Sequence, residues 1–87
     1  MIVRFHPDLL KQLQRLPRSE FETALRTIIA LSHDPRLRGA KKLVGAGDDW
    51  RVRFGQYRIV YSIDDDAGEV TIFVVAKRSN GYRPGPS

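Results

Sequence analysis

The stretch from Trp50 to Tyr61, WRVRFGQYRIVY, decides the fold. Two alternating runs, Trp50-Arg51-Val52-Arg53-Phe54 and Tyr57-Arg58-Ile59-Val60-Tyr61, flank Gly55-Gln56, and a two-residue connector with glycine first is what a type II′ hairpin turn requires. That connector sets the register. Phe54 then faces Tyr57, Val52 faces Ile59 and Trp50 faces Tyr61, so these apolar and aromatic groups share one side of the ribbon while Arg51, Arg53 and Arg58 share the other.

In this register Arg53 and Arg58 sit directly across from each other, which costs roughly 0.2 to 1 kcal/mol for like charges. A solvated amphipathic face is the plain reading of three arginines on a sheet. Against it, long solvated faces mix signs, and no acid interrupts the run from Trp50 to Ile63. Cations about 7 Å apart along a strand are spaced like successive phosphates of a nucleic-acid backbone, so the face is expected to contact RNA or DNA.

Composition narrows the function classes. A chain of 87 residues makes one domain, and one this small buries only about 60 to 65% of its unfolded surface. With no cysteine and only His6 and His33, a disulfide framework, a thiolate zinc site and metal catalysis are not expected, and no cofactor is implied. No apolar run approaches the ~20 residues that span a bilayer, and Met1-Ile2-Val3-Arg4 lacks signal-peptide character, so a cytoplasmic location without membrane partners is expected. The formal charge of +5 and pI near 10.1 suggest a polyanionic partner. Of the 15 Lys and Arg residues, the later part of the chain holds Arg36, Arg38, Lys41, Lys42, Arg51, Arg53, Arg58, Lys77, Arg78 and Arg83. Acids there gather at Asp48-Asp49 and Asp64-Asp65-Asp66, which read as turns.

Outward from the ribbon, Ile2 to Phe5 is a short strand stopped by His6-Pro7. A helix is expected from about Pro7 to Leu16, with Leu9, Leu10, Leu13 and Leu16 as its apolar stripe. Pro17 breaks it. Ser19 with Glu22 three residues on fits a capping box, and the second helix should run to about His33, burying Phe21, Leu25, Ile28 and Ser32, widened by Ala24, Ile29 and Leu31. The two make an antiparallel helical hairpin able to cover one sheet face.

Asp34-Pro35 ends that helix. From Arg36 to Asp49 the chain reads as a loop with Leu37, Leu43 and Val44 tucked under, either a solvated connector or a functional segment in which Arg36, Arg38, Lys41 and Lys42 contact phosphates beside the sheet. After the ribbon, Asp64 to Gly68 is an acidic turn and Glu69 to Ala76 a third strand. Pairing Ile63 with Val70 brings Tyr61 to Ile72 and Ile59 to Val74 on the core side, and Ser62 to Thr71 on the arginine side. Phe73 and Val75 then join the open side, where apolar groups would stack bases or receive an apolar segment of another protein. Strict alternation would send Arg78 toward the core, so the strand should end or bulge near Lys77. The tail beyond has no helical pattern. It is either a frayed basic terminus or a segment that folds Tyr82 back toward the arginine face.

Several of these pieces, Asp34-Pro35, Lys42-Leu43, Arg51-Val52-Arg53-Phe54-Gly55, Tyr57-Arg58-Ile59-Val60-Tyr61 and Lys77-Arg78 with Tyr82-Arg83, occur in the order and spacing of one family. The chain resembles, over nearly its whole length, the RelE/ParE superfamily of toxins of toxin–antitoxin systems. The fold expected is α+β in one domain over residues 1–87, with 79–87 an irregular tail: an N-terminal strand, an antiparallel two-helix hairpin, then a three-stranded antiparallel meander, the helices packed on one sheet face.

For the RelE-like branch the resemblance implies a ribosome-dependent endoribonuclease that cleaves mRNA in the A site without metal. The ribose 2′-oxygen attacks the adjacent phosphorus, leaving a 2′,3′-cyclic phosphate and a free 5′-hydroxyl. Carried over by position, Arg51 and Arg53 fall where the family has basic strand residues, Arg58 where it has the phosphate-stabilising arginine, Arg78 where it has an arginine offered as general acid, and Tyr82 where it has a C-terminal tyrosine that stacks on a base or assists proton transfer. Arg36, Arg38, Lys41, Lys42, Lys77 and Arg83 are the expected RNA contacts around them. Some members carry lysine where this chain has Arg51 and Arg53, and arginine holds its proton too firmly for a good general base. That leaves Tyr82, or the cationic field itself, to activate the hydroxyl. A cognate antitoxin in a hetero-oligomer with the toxin is the implied partner. A ParE-like poison of DNA gyrase, without enzymatic activity, is the alternative, and a plain RNA-binding module a third.

Overall fold

The computed structural model describes residues 1–43 and 49–77. In chain order these form β1 (Ile2–Phe5), α1 (Leu9–Gln14), α2 (Arg18–His33), β2 (Lys41–Lys42), β3 (Asp49–Phe54), β4 (Tyr57–Asp64) and β5 (Glu69–Lys77). All five strands join one sheet in the order β1-β5-β4-β3-β2, with β1 parallel to β5 and the other neighbours antiparallel. The α+β architecture matches the expected one, and two edge strands extend the meander. The parallel pair is possible because α1 and α2 carry the chain from one edge across the sheet.

The central hairpin has the expected register at every pair, from Phe54 opposite Tyr57 to Trp50 opposite Tyr61. Gly55 has φ of 56° and, among the described residues, no non-glycine residue has positive φ, Gln56 included, which is the II′ signature rather than I′. From β4 to β5 the pairs Ile63–Val70, Ser62–Thr71 and Tyr61–Ile72 also match, but the next pair is Val60–Val74. Phe73 is therefore an extra residue, and this bulge reverses the alternation of β5. Ile59 meets Val75 in the core, not Val74, while Val74 and Ala76 face the open side with Val60 and Arg58. The change of side expected near Lys77 thus comes at Phe73; Arg78 lies outside the described residues.

The core forms where one sheet face meets the helices. Leu9 and Leu13 from α1 and Ala24, Ile28 and Leu31 from α2 pack on Val52, Ile59, Tyr61, Ile63, Val70, Ile72 and Val75. Leu10 does not join them, being 63% exposed, and α1 is shorter than the leucine spacing suggests. In α2 the buried stripe runs Phe21, Ala24, Ile28 and Leu31, whereas Leu25 and Ile29 are exposed. Ala24 is fully buried on the stripe, and Leu25 and Ile29 fall on the outer side of the helix. The capping box at Ser19 and Glu22 does not form. Pro17, extended at ψ 155°, takes the N-cap position and its carbonyl accepts the Phe21 amide at 2.8 Å, so Ser19 is already inside the helix.

The segment after α2 is more structured than a loop. The Tyr61 hydroxyl donates to the Pro35 carbonyl at 2.7 Å, Leu37 packs on the core, and Lys41–Lys42 pair with Arg51 and Trp50 as a short edge strand. Leu43 is half-buried and its amide donates to the Asp49 carbonyl at 2.9 Å; Val44 and Asp48 lie outside the described residues. Asp49 belongs to β3, not to a turn. Burial pushes the fully covered Tyr61 phenol from 10.0 up to about 12, with Asp34 adding to the shift and Arg36 opposing it.

Two outcomes follow from this packing. Val75→Ala should cost about 2 kcal/mol, for two buried methyl groups and the cavity they leave, and Val74→Ala clearly less, by denaturant titration; equal costs would contradict the bulge. Tyr61→Phe should cost about 1 to 2 kcal/mol at neutral pH, because it leaves the Pro35 carbonyl without its donor. Since the folded chain keeps a proton that the unfolded chain releases near pH 10, native stability should fall as pH rises from about 10 toward about 12. That part of the decline should vanish in Tyr61→Phe, as urea midpoints at pH 9 and pH 11 would show.

Candidate nucleic-acid interface

Cross-strand register determines what shares the face turned away from the helices. One row reads Lys41, Arg51, Val60 and Val74 from β2 to β5, and the next reads Arg53, Arg58 and Ala76. Directly opposed residues have Cβ atoms about 4.5 to 5.5 Å apart, so Arg53 and Arg58 are as close as two strand side chains come. Arg51 lies about 7 Å along β3 from Arg53. Arg53 is exposed, Arg51 is half-buried, and Arg58 is half-buried with its Nε shielded from solvent. Arg58 therefore lays its stem on the sheet, which limits the positions its charge can occupy.

Lys41 joins this face through its pairing with Arg51, although β2 carries no alternation that would reveal it. Asp49, opposite Ser62, also lies on this side and brings a carboxylate to its border. Extending the alternation one step back from Arg51 would have found it. Arg4, opposite Thr71, sits toward the other edge and is paired with Glu69 at 3.0 Å.

Other basic residues go elsewhere. Arg36 lies on the helix side, its guanidinium 5.4 Å from the Trp50 ring centroid and bound to both carboxylate oxygens of Asp65 at 3.2 and 2.9 Å. That pair raises the Arg36 pKa and lowers that of Asp65, the hydrogen bond between them being the main cause in each. Arg36 thus serves the Pro35 corner and not the guanidinium face. Lys42 and Lys77, opposite Trp50 and Tyr57, fall in the alternation of the helix side, at opposite ends of the sheet. Arg38 is exposed beyond α2. Arg78, Tyr82 and Arg83 lie outside the described residues. Among the described residues, no three His, Cys, Asp or Glu side chains are grouped to hold a metal ion, and no helix is long and apolar enough to cross a membrane.

What the face offers chemically is positive charge at phosphate spacing, with Lys41 beside the arginines. Residues 3–82 match the family described as the ParE toxin of a type II toxin-antitoxin system, parDE. No curated protein sequence matches the chain. Among solved structures, the archaeal RelE–RelB complex from Pyrococcus horikoshii OT3 is similar with a TM-score of 0.80 and 29% identity, over 92% of this chain and 97% of that one. The toxin–antitoxin complex RelBE2 from Mycobacterium tuberculosis is similar at 0.77 and 32%, over 88% and 96%. Isolated E. coli RelE, at 0.77 and 23% over 97% and 87%, shares the fold. By sequence and by fold together, the chain belongs to the RelE/ParE superfamily of type II toxin–antitoxin toxins.

Proposed function

We propose that this toxin is a ribosome-dependent mRNA endoribonuclease that works in the cytoplasm and is held inactive in a complex with a cognate antitoxin. The observation that carries this reading is the placement of Arg51, Arg53 and Arg58 on one open sheet face, with Arg53 and Arg58 directly opposed. In the reaction the 2′-hydroxyl loses its proton and its oxygen bonds to phosphorus. The bond from phosphorus to the 5′-oxygen breaks, and that oxygen takes up a proton. Charge builds on the phosphorane oxygens between those steps, where fixed guanidinium groups help most. Arg58, with its stem held on the sheet, is assigned to that charge, and Arg51 and Arg53 to the flanking phosphates. Arg78 as general acid and Tyr82 as stacking or proton-transfer residue follow from the family resemblance. Neither strand arginine gives up a proton readily, so the 2′-hydroxyl proton goes to Tyr82, or passes to solvent with the cationic field stabilising the alkoxide left behind. Arg38, Lys42, Lys77 and Arg83 are assigned to peripheral RNA contact.

The ParE description of the matching family supports a second reading, a gyrase poison in which the same scaffold binds a protein. Induced expression with primer extension on translated message separates the two. Cuts inside codons support the nuclease; intact message with inhibited supercoiling supports the poison. Arg58→Ala should lower cleavage about 100-fold or more, the scale of losing one transition-state donor, and Arg78→Ala should also abolish growth arrest. Full arrest by both variants would remove the assigned site. Arg36→Ala should cut message like the parent with little change in melting, since its partners Asp65 and Trp50 lie away from the guanidinium face and the ion pair is exposed.

A further inference from the structure

The bulge at Phe73 does more than change the side on which Val75 falls. Phe73 has no partner across the ladder to β4, and it is not among the apolar residues packed on the core. Its half-buried ring instead meets His6, with centroids 6.4 Å apart and planes tilted by 54°. His6 is held by its surroundings. Its amide donates to the Ile72 carbonyl and its carbonyl accepts the Leu9 amide, both at 2.9 Å. Its Nδ1 accepts the Asp8 amide at 3.3 Å, with the Asp8 carboxylate 3.9 Å from the same atom. Both contacts use Nδ1, which leaves Nε2 for a ligand.

The pair stands on the face already described. In β1, Arg4 opposes Thr71 on the open side, and His6 follows in the same alternation. Phe73 adjoins Val74, whose row contains Val60, Arg51 and Lys41, while Arg58 opposes Ala76. Strand geometry places Phe73 about 10 to 12 Å from Arg58. That is a span of about one to two nucleotides of an extended single strand.

We infer that Phe73 and His6 form a nucleobase-stacking subsite on the guanidinium face, taking an unpaired base of the RNA strand whose backbone lies on Arg58. The inference rests on the RNA reading above and assigns two residues it does not use. An aromatic face stacks any base, and the guanidinium row alongside favours a polyanion over an apolar peptide. Nε2 of His6 adds a polar atom at the edge of the base, where selectivity arises.

The test uses the full chain and short single-stranded oligoribonucleotides carrying 2-aminopurine at successive positions, whose fluorescence is quenched on stacking. The parent should quench one position most. Phe73→Leu should lose that quenching and bind about 5- to 100-fold more weakly, the range for one stacked base, and Phe73→Trp should retain both. His6→Ala should narrow the difference in affinity between bases at that position. Variants are compared only where they melt like the parent, with Phe73→Met replacing Phe73→Leu if it does not. Parent protein that quenches no position, or Phe73→Leu that binds and quenches like the parent, overturns the subsite. So does an apolar peptide that binds there when RNA does not. If message is cut by the parent while quenching is absent, the subsite fails and the nuclease stands; quenching in a chain that cuts no message gives the reverse.

Discussion

A two-residue turn at Gly55-Gln56 determines the side on which the three central arginines fall. With positive φ at Gly55 alone, the hairpin has one register, and in it Val52, Ile59 and Tyr61 point at the helices while Arg51, Arg53 and Arg58 point away. A slip of one residue would exchange the sides. It would bring the arginines under α1 and α2, where burying each charge costs several kcal/mol. The turn and the burial of the apolar side therefore specify the same register independently. Tyr61 adds a third constraint, because its hydroxyl reaches the Pro35 carbonyl only from the core side.

Against that scaffold, carboxylates hold several cations of the edges and helices in structural roles. Glu69 binds Arg4, Glu22 lies between Arg18 and Arg26, and Asp65 holds Arg36. These pairs are mostly exposed and individually contribute little. Their placement still matters, because it draws acids toward the outer edges and helix surfaces. Asp49 is the carboxylate that the alternation of β3 and the β3–β4 register put beside Arg51. Arg53 opposite Arg58 is a like-charge pair of the kind that costs a few tenths of a kcal/mol to about 1 kcal/mol, in a domain whose stability margin is thin. Selection for stability alone would favour opposite signs across that pair.

Most of this was legible where the pattern was binary. The central hairpin alternates between arginine and large apolar groups, so sequence and structure agree at each of its pairs. From Val70 to Ala76 nearly every residue is apolar, alternation carries no information, and the bulge at Phe73 was invisible. The same limit explains α2, where Leu25 and Ile29 look as buriable as Ala24 and Ile28, and the sequence does not say which of them faces the sheet. Lys41–Lys42 has neither alternation nor apolar content, so its role as an edge strand comes from the partner β3 and not from its own residues. Lysines there also deter further strand addition. The ion pair of Arg36 joins residues 29 positions apart, which local pattern does not report.

The other edge of the sheet shows why α1 lies where it does. β1 stops at Phe5, opposite Ile72, because His6-Pro7 ends the strand. Beyond that point β5 would have amides facing no strand on that side, and a buried amide without a partner costs about 1 to 3 kcal/mol. Gln12 supplies the acceptor, its Oε1 taking the Val75 amide at 2.8 Å, while Leu9 and Leu13 of the same short helix enter the core. A polar residue outside the leucine stripe of the helix is thus the group that seals the sheet edge. Its partner is Val75, the residue that the Phe73 bulge turns into the core. The bulge, the short first strand and the position of α1 are one solution to a single requirement for hydrogen bonding. That solution also brings the ring of Phe73 against His6 on the face that carries the arginines.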